Sequence, residues 1–176
     1  MTDNMLSRPE ASEYAPYYHT YIGPIEDQDV MGLLRTQANA FDPLRSLSNP
    51  DAAYRYGPDK WSVKEVIGHV TDAERVFSYR MLRIARGDQT PLAGFDQQPY
   101  VEAANFDRHS IATLIDAFQT VRAATISLAS ELDDVAWRRM GTASGFPVSV
   151  RALAYIAVGH AAHHIEILRD RYGMSL

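Results

Sequence analysis

GHAAHHIEIL, residues 159–168, contains three of the chain's six histidines. On a helix, His160 and His164 stand four residues apart and stack on one face, a turn from each other. Two imidazoles at that spacing reach one metal ion without completing a site, so a third ligand has to come from another segment. WSVKEVIGHVTDAER, residues 61–75, contains the candidate, His69. Ser62 and Glu65 match the capping box that opens a helix. At about 100° per residue, Val66, His69, Ala73, Val76 and Phe77 share one face of it, so His69 points where the apolar side chains point. The reading is of two helices that bury their histidines against each other inside a helical bundle.

The other segments supply the rest of that bundle. The helix opened by Ser62 is predicted to run over 62–86, with Gly87 as its terminator. The histidine-rich helix is predicted over 149–172, with Ser149 as N-cap and Gly173 beyond its end. Its residues Leu153, Ile156, Ala157, His160, His164 and Ile167 lie within about 60° of one direction, and His163 lies about 60° to one side of His160. A first helix is predicted over 27–47 from Val30, Leu33, Leu34, Ala38, Phe41 and Leu44, with Pro43 marking a kink or an end. A third is predicted over 110–132 from Ile111, Leu114, Ile115, Phe118, Val121, Ile126 and Leu128.

The connections are less regular. Residues 87–109 contain glycine and proline but no strong period. That length is large for a compact domain and marks a functional loop or a crossover between parallel neighbours. DDVAWRRM, residues 133–140, reads as a short extra turn, and SGFPVS, residues 144–149, leads into the last helix. Residues 1–24 look irregular, broken by Pro9, Pro16 and Pro24, with Tyr14, Tyr17, Tyr18 and Tyr21 between them. Packing of this tail onto the domain is preferred over a ligand-binding role for the tyrosines.

No convincing strand and no repeat is found, so the expected fold is all-α: one domain over 1–176 built as a four-helix bundle. His69 lies about 10 Å from the start of its helix and the His160/His164 pair about 15 Å from the end of its own, at 1.5 Å per residue. Those depths match when the second and fourth helices are antiparallel. The long crossover makes the second and third parallel, and the order becomes up-down-down-up. The site then lies toward the end where the second helix starts and the fourth finishes. The third helix begins at that end, which brings His109 near the expected mouth.

Composition narrows the partners. A net charge of −5 and a pI near 5.6 argue against nucleic acid and anionic membranes, which favour a basic face. The absence of cysteine excludes disulfides, thiolate ligands and a cysteine nucleophile. The first residues lack the apolar core of a signal peptide, and no apolar run approaches a membrane span. The expectation is a cytoplasmic protein acting on a small molecule.

Three neutral imidazoles hold a divalent ion such as zinc at about 2.0–2.1 Å and leave a coordination position open, the catalytic rather than the structural pattern. Nickel and other divalent ions also suit imidazole. There is no H-E-x-x-H of a zincin and no E-x-x-H of a di-iron bundle. Around the triad, Glu65 is a candidate general base, although its capping position explains it equally well. Asp72 is a candidate to orient an imidazole or a solvated helix carboxylate. Arg80 is a candidate to hold an anionic substrate or an arginine satisfied within the bundle. His163 is assigned a supporting or surface role.

WSVKEVIGHVTDAERVFSYRMLRIARGD followed by ALAYIAVGHAAHHIEILRDRYG resembles the DinB-like family of metal-dependent enzymes, from the first helix to about Tyr172. The resemblance implies an up-down-down-up four-helix bundle and a metal triad of one histidine on the second helix and an H-x-x-x-H pair on the fourth. These fall on His69, His160 and His164. It further implies a thiol-dependent S-transferase using a low-molecular-weight thiol, or a metal-dependent hydrolase, and a homodimer. A non-catalytic, stress-associated metal- or ligand-binding protein is the remaining alternative.

Overall fold

The computed structural model describes residues 7–25 and 29–176. In chain order the helices are α1 (His19–Ile22), α2 (Val30–Gln37), α3 (Asn49–Ala52), α4 (Val63–Ala85), α5 (Gln97–Ala104), α6 (Ile111–Ser130), α7 (Asp134–Trp137) and α8 (Val150–Tyr172). One antiparallel hairpin joins β1 (Met140–Ala143) to β2 (Phe146–Ser149). The bundle consists of α2, α4, α6 and α8.

The long helices begin where the sequence places them. The Ser62 hydroxyl accepts from Glu65 N at 3.1 Å while the Glu65 carboxylate accepts from Ser62 N at 2.7 Å, so the capping box is complete at α4. Ser110 caps α6 and Ser149 caps α8 in the simpler form. Gly173, at φ 69°, ends α8 in the left-handed conformation that glycine adopts without strain.

The direction of each helix follows from the hydrogen bonds between them. The Tyr172 hydroxyl at the end of α8 donates to Trp61 O before α4, at 2.6 Å. Arg139, beside the start of α8, donates to Ala85 O at the end of α4; α4 and α8 are therefore antiparallel. Lys64 near the start of α4 donates to Asp107 O just before α6, and Arg86 pairs with Glu131 where both helices finish, so α4 and α6 run parallel. Leu34, Asn39 and Arg45 meet Arg122, Gln119 and Asp116 in turn, which sets α2 antiparallel to α6. The order is up-down-down-up.

Four expectations need correction. The first helix is short: α2 ends at Gln37, and the remainder becomes a 3-10 turn over Asp42–Ser46, because Pro43 removes a backbone donor. The expected start at residue 27 lies outside the described residues. Residues 140–149 form a hairpin rather than a lead-in, with Ser144 and Gly145 at φ 53° and 81° in the turn, the positive dihedrals that a two-residue hairpin loop demands. The crossover is not structureless. It contains α5, capped by Asp96, and its Leu92 bonds the edge of β1. Nor is the N-terminal segment irregular throughout, since 3-10 turns over Ala11–Glu13 and Pro16–Tyr18 lead into α1.

The core lies in two parts. One surrounds the first half of α8 and gathers Leu34, Phe77, Met81, Ile84, Leu153 and Ile156. The other lies toward its end and contains Phe41, Ile67, Ile115, Phe118 and Leu168. Every residue of α8 from Ala152 to Ala161 is buried. Each large apolar side chain sealed in this way stabilises the fold by about 1.5–3 kcal/mol. The histidines occur where the two parts meet.

Candidate metal centre

Two glycines prepare the site, one before each of its first two histidines. A Cβ at Gly68 would stand 2.6 Å from the Phe106 ring, so the missing side chain lets the crossover lie against α4. A Cβ at Gly159 would collide with the backbone oxygen of Tyr21. Glycine there seats α1 directly on α8, and α1 contributes Tyr21 to the roof over His160.

His69, His160 and His164 converge. One ring nitrogen from each lies within 4.8 Å of the others, and the ring centroids are 4.6–4.9 Å apart. His69 Nε2 and His160 Nε2 face each other at 3.0 Å. All three rings are buried, and His164 Nδ1 has no hydrogen-bond partner among the described residues. Buried polar atoms are rarely left so. The three nitrogens stand close enough together that they could hold one metal ion, and the buried imidazoles suit such a ligand. Burial lowers the His69 pKa to about 4. Burial, followed by the neighbouring imidazoles, holds His160 and His164 well below their ordinary value. The rings are thus kept neutral, the form that ligates.

His163 stands apart. It is exposed and contacts only the flank of the cluster, its ring 5.4 Å from Tyr21 and 5.2 Å from His164. Glu65 is occupied by the capping box and by Arg55, which donates to Glu65 Oε1 at 3.0 Å. Asp72 pairs with Arg75 at 2.7 Å on the outer face of α4. Arg80 is buried, donates to Ala93 O at 2.7 Å and Ser144 Oγ at 3.0 Å, and lies over the Phe95 ring. It ties the crossover to the hairpin. None of the three carboxylate and arginine candidates lines the cavity beside the histidines, and neither does His109.

That cavity measures about 350 Å³ and opens onto His69 and His160. Ala73 and Phe77 continue the His69 face of α4 along its floor. Tyr17, Tyr18 and Tyr21 line one wall from the N-terminal segment, and Phe95, Asp96 and Gln97 line another from the crossover. The tyrosines were read from sequence as packing residues. Tyr14 has such a role, its hydroxyl 3.2 Å from His19 Nδ1, but the other three face the site. The Tyr17 and Tyr21 hydroxyls are 2.8 Å apart, and the Tyr21 ring meets His160 edge to face at 5.2 Å. Burial, followed by the Tyr17 hydrogen bond, raises the Tyr21 pKa. The clustering of four tyrosines among prolines was the one sequence signal; Phe95 and Gln97 gave none.

A four-helix bundle in this order, with three histidines turned inward from its second and fourth members, defines a class of protein. Residues 33–168 match the family model of the DinB superfamily, and the chain belongs to that superfamily. Its structure is similar to that of YfiT from Bacillus subtilis, described as a probable metal-dependent hydrolase with an unusual four-helix bundle topology. The TM-score is 0.72 over 98% of this chain and 99% of that one, at 16% sequence identity, a likeness of fold. No curated protein matches the chain in sequence.

Proposed function

We propose that this chain is a divalent-metal-dependent enzyme whose ion, zinc or nickel, is held by His69, His160 and His164, and that its reaction is hydrolytic. The observation that carries the reading is the buried convergence of three imidazoles at one end of an accessible cavity. The description of YfiT as a probable metal-dependent hydrolase supports the reaction class. When bound, such an ion supplies Lewis acidity and lowers the pKa of a coordinated group. The chain's own part is distinct. The apolar surroundings keep the imidazoles neutral, Trp61 lies against His69 with the rings tilted by 46° and their centroids 4.7 Å apart, and Phe77 and Tyr21 pack edge to face against His160. These contacts fix the ring orientations on which a three-ligand site depends.

The second reading is a thiol-dependent S-transferase, with which the lack of cysteine is compatible because the sulfur nucleophile would come from a low-molecular-weight cosubstrate. In either case the substrate is a small molecule, and the working form is a cytoplasmic homodimer without a nucleic-acid partner. Among the described residues no helix is long and apolar enough to cross a membrane.

Metal analysis of the purified protein, followed by turnover on aryl esters and amides with and without added thiol, tests both readings. Roughly one divalent ion per chain and thiol-independent hydrolysis are the expected results. Turnover only with thiol would transfer the assignment to the second reading. A protein that refuses added zinc and nickel would overturn both.

A further inference from the structure

The cavity wall specifies more about a ligand than the histidines do. Tyr17 and Tyr21 each have one hydroxyl proton, and the hydrogen bond between them uses one. The second proton remains for another acceptor. Tyr21 cannot turn away to satisfy it elsewhere, because its backbone is seated on Gly159 and its ring stands against His160. Apart from Ala73, Asp96 and Gln97, the rest of the wall is aromatic. Tyr18 packs edge to face on Phe77, and Phe95 is held from behind by Arg80. Among the described residues lining the cavity there is no lysine or arginine, and Asp96 is the one carboxylate. The side chains of the wall away from the histidines thus offer an anionic ligand body no counter-charge and one like charge, and the ion proposed at the histidines would be the site's one positive charge.

We infer that the Tyr17–Tyr21 hydroxyl pair is an oxygen-recognition site that donates a hydrogen bond to the carbonyl oxygen of an uncharged ester or amide with a flat, aromatic body, and holds that carbonyl beside His69 and His160. The substrate class rests on the hydrolytic reading above; the recognition of a carbonyl by the pair does not. Residues 17–21 precede the region matched by the superfamily model. The histidine triad and the tyrosine wall are therefore contributed by separate parts of the chain.

The test uses 4-(dimethylamino)cinnamaldehyde, a flat, neutral aromatic carbonyl whose absorption band moves to longer wavelength when its oxygen accepts a hydrogen bond. It is titrated into metal-free and zinc-loaded protein. The wild type is expected to bind it in both forms with a red-shifted band. Tyr21→Phe keeps the ring, loses the shift and weakens binding on the order of tenfold, as for loss of one hydrogen bond to a buried acceptor. Tyr17→Phe, at an exposed position that leaves the fold intact, breaks up the hydroxyl pair, with a smaller shift and roughly threefold weaker binding. Thermal melts of both variants accompany the titrations, and Tyr17→Phe decides the matter if Tyr21→Phe does not fold. A wild type that binds without a shift, or variants with the wild-type shift and affinity, would overturn the inference. A protein that binds no metal yet shows the Tyr21-dependent shift would overturn the metal reading and leave this one standing.

Discussion

Arg122 on α6 and Glu74 on α4 meet through two parallel hydrogen bonds of 2.6 and 2.7 Å, with both side chains buried at the centre of the bundle. Arg122 also donates to Leu34 O and to Gln37 Oε1 of α2, and Gln37 in turn donates to Val158 O of α8. One polar network thus touches all four bundle helices, and it reaches α8 two residues before His160. A buried pair of this kind adds little net stability over an apolar substitute, but removing one partner leaves a charge stranded.

Arg122→Met alone is therefore expected to lower stability by about 3–5 kcal/mol, whereas Arg122→Met with Glu74→Leu recovers most of the loss. Urea unfolding of the two variants checks this. A single variant as stable as the wild type would mean that the pair does not fix the packing of the helices.

The histidines are separable by substitution. His69→Ala, His160→Ala and His164→Ala should each strip most of the metal, because two remaining ligands do not hold it. His163→Ala should retain it, with at most a ~10–100-fold loss of affinity. Elemental analysis and zinc titration read the difference directly. Removal of the ion from the wild type should lower the melting temperature while the helical circular dichroism persists, since the two apolar clusters form without it.

Acid should destabilise the metal-free protein well before the carboxylates protonate. The His69 pKa falls from 6.5 in the unfolded chain to about 4 in the fold. The unfolded state therefore binds more protons between those values, and stability that is complete above 6.5 is lost as the pH falls toward 4. His69 alone accounts for roughly 2 kcal/mol by about pH 5, and His160 and His164 act in the same direction. Urea midpoints of chelator-treated protein at neutral pH and near pH 5 give the measurement; equal midpoints would contradict the neutral, buried triad.

Gly159→Ala tests the seat of α1. Alanine is the better helix former by about 1 kcal/mol, yet its Cβ would strike the Tyr21 backbone, which cannot swing aside as a side-chain end does. The expected outcome is net destabilisation of about 1–3 kcal/mol, with faster amide exchange confined to residues 17–22. A more stable variant would show that α1 yields easily at this contact.

Local chemistry determined much of this protein from sequence alone. The capping box at Ser62 and Glu65, the serine caps of α6 and α8, Gly173 and the apolar stripes of the long helices all depend on neighbours within a few residues, and the spacing of His160 and His164 is a property of the helix itself. Even the order of the bundle was within reach, because the depth of His69 along one helix had to match that of the pair along another. What only the tertiary structure decided is non-local. Four-residue strands, the second containing Pro147, show too little alternation to announce the hairpin over 140–149. Glu65, Asp72 and Arg80 have residue types suited to catalysis, and only the tertiary structure shows their partners, Arg55, Arg75 and the Ala93 carbonyl, and their absence from the cavity lining. The cavity wall is the clearest case. Tyr21 and Phe95 are far apart in the chain and in no common pattern, yet they line one cavity with His160 and His69, and glycine at 159 and 68 lets Tyr21 and Phe106 lie directly on α8 and α4, a close approach that packing between distant segments produces and no local periodicity encodes.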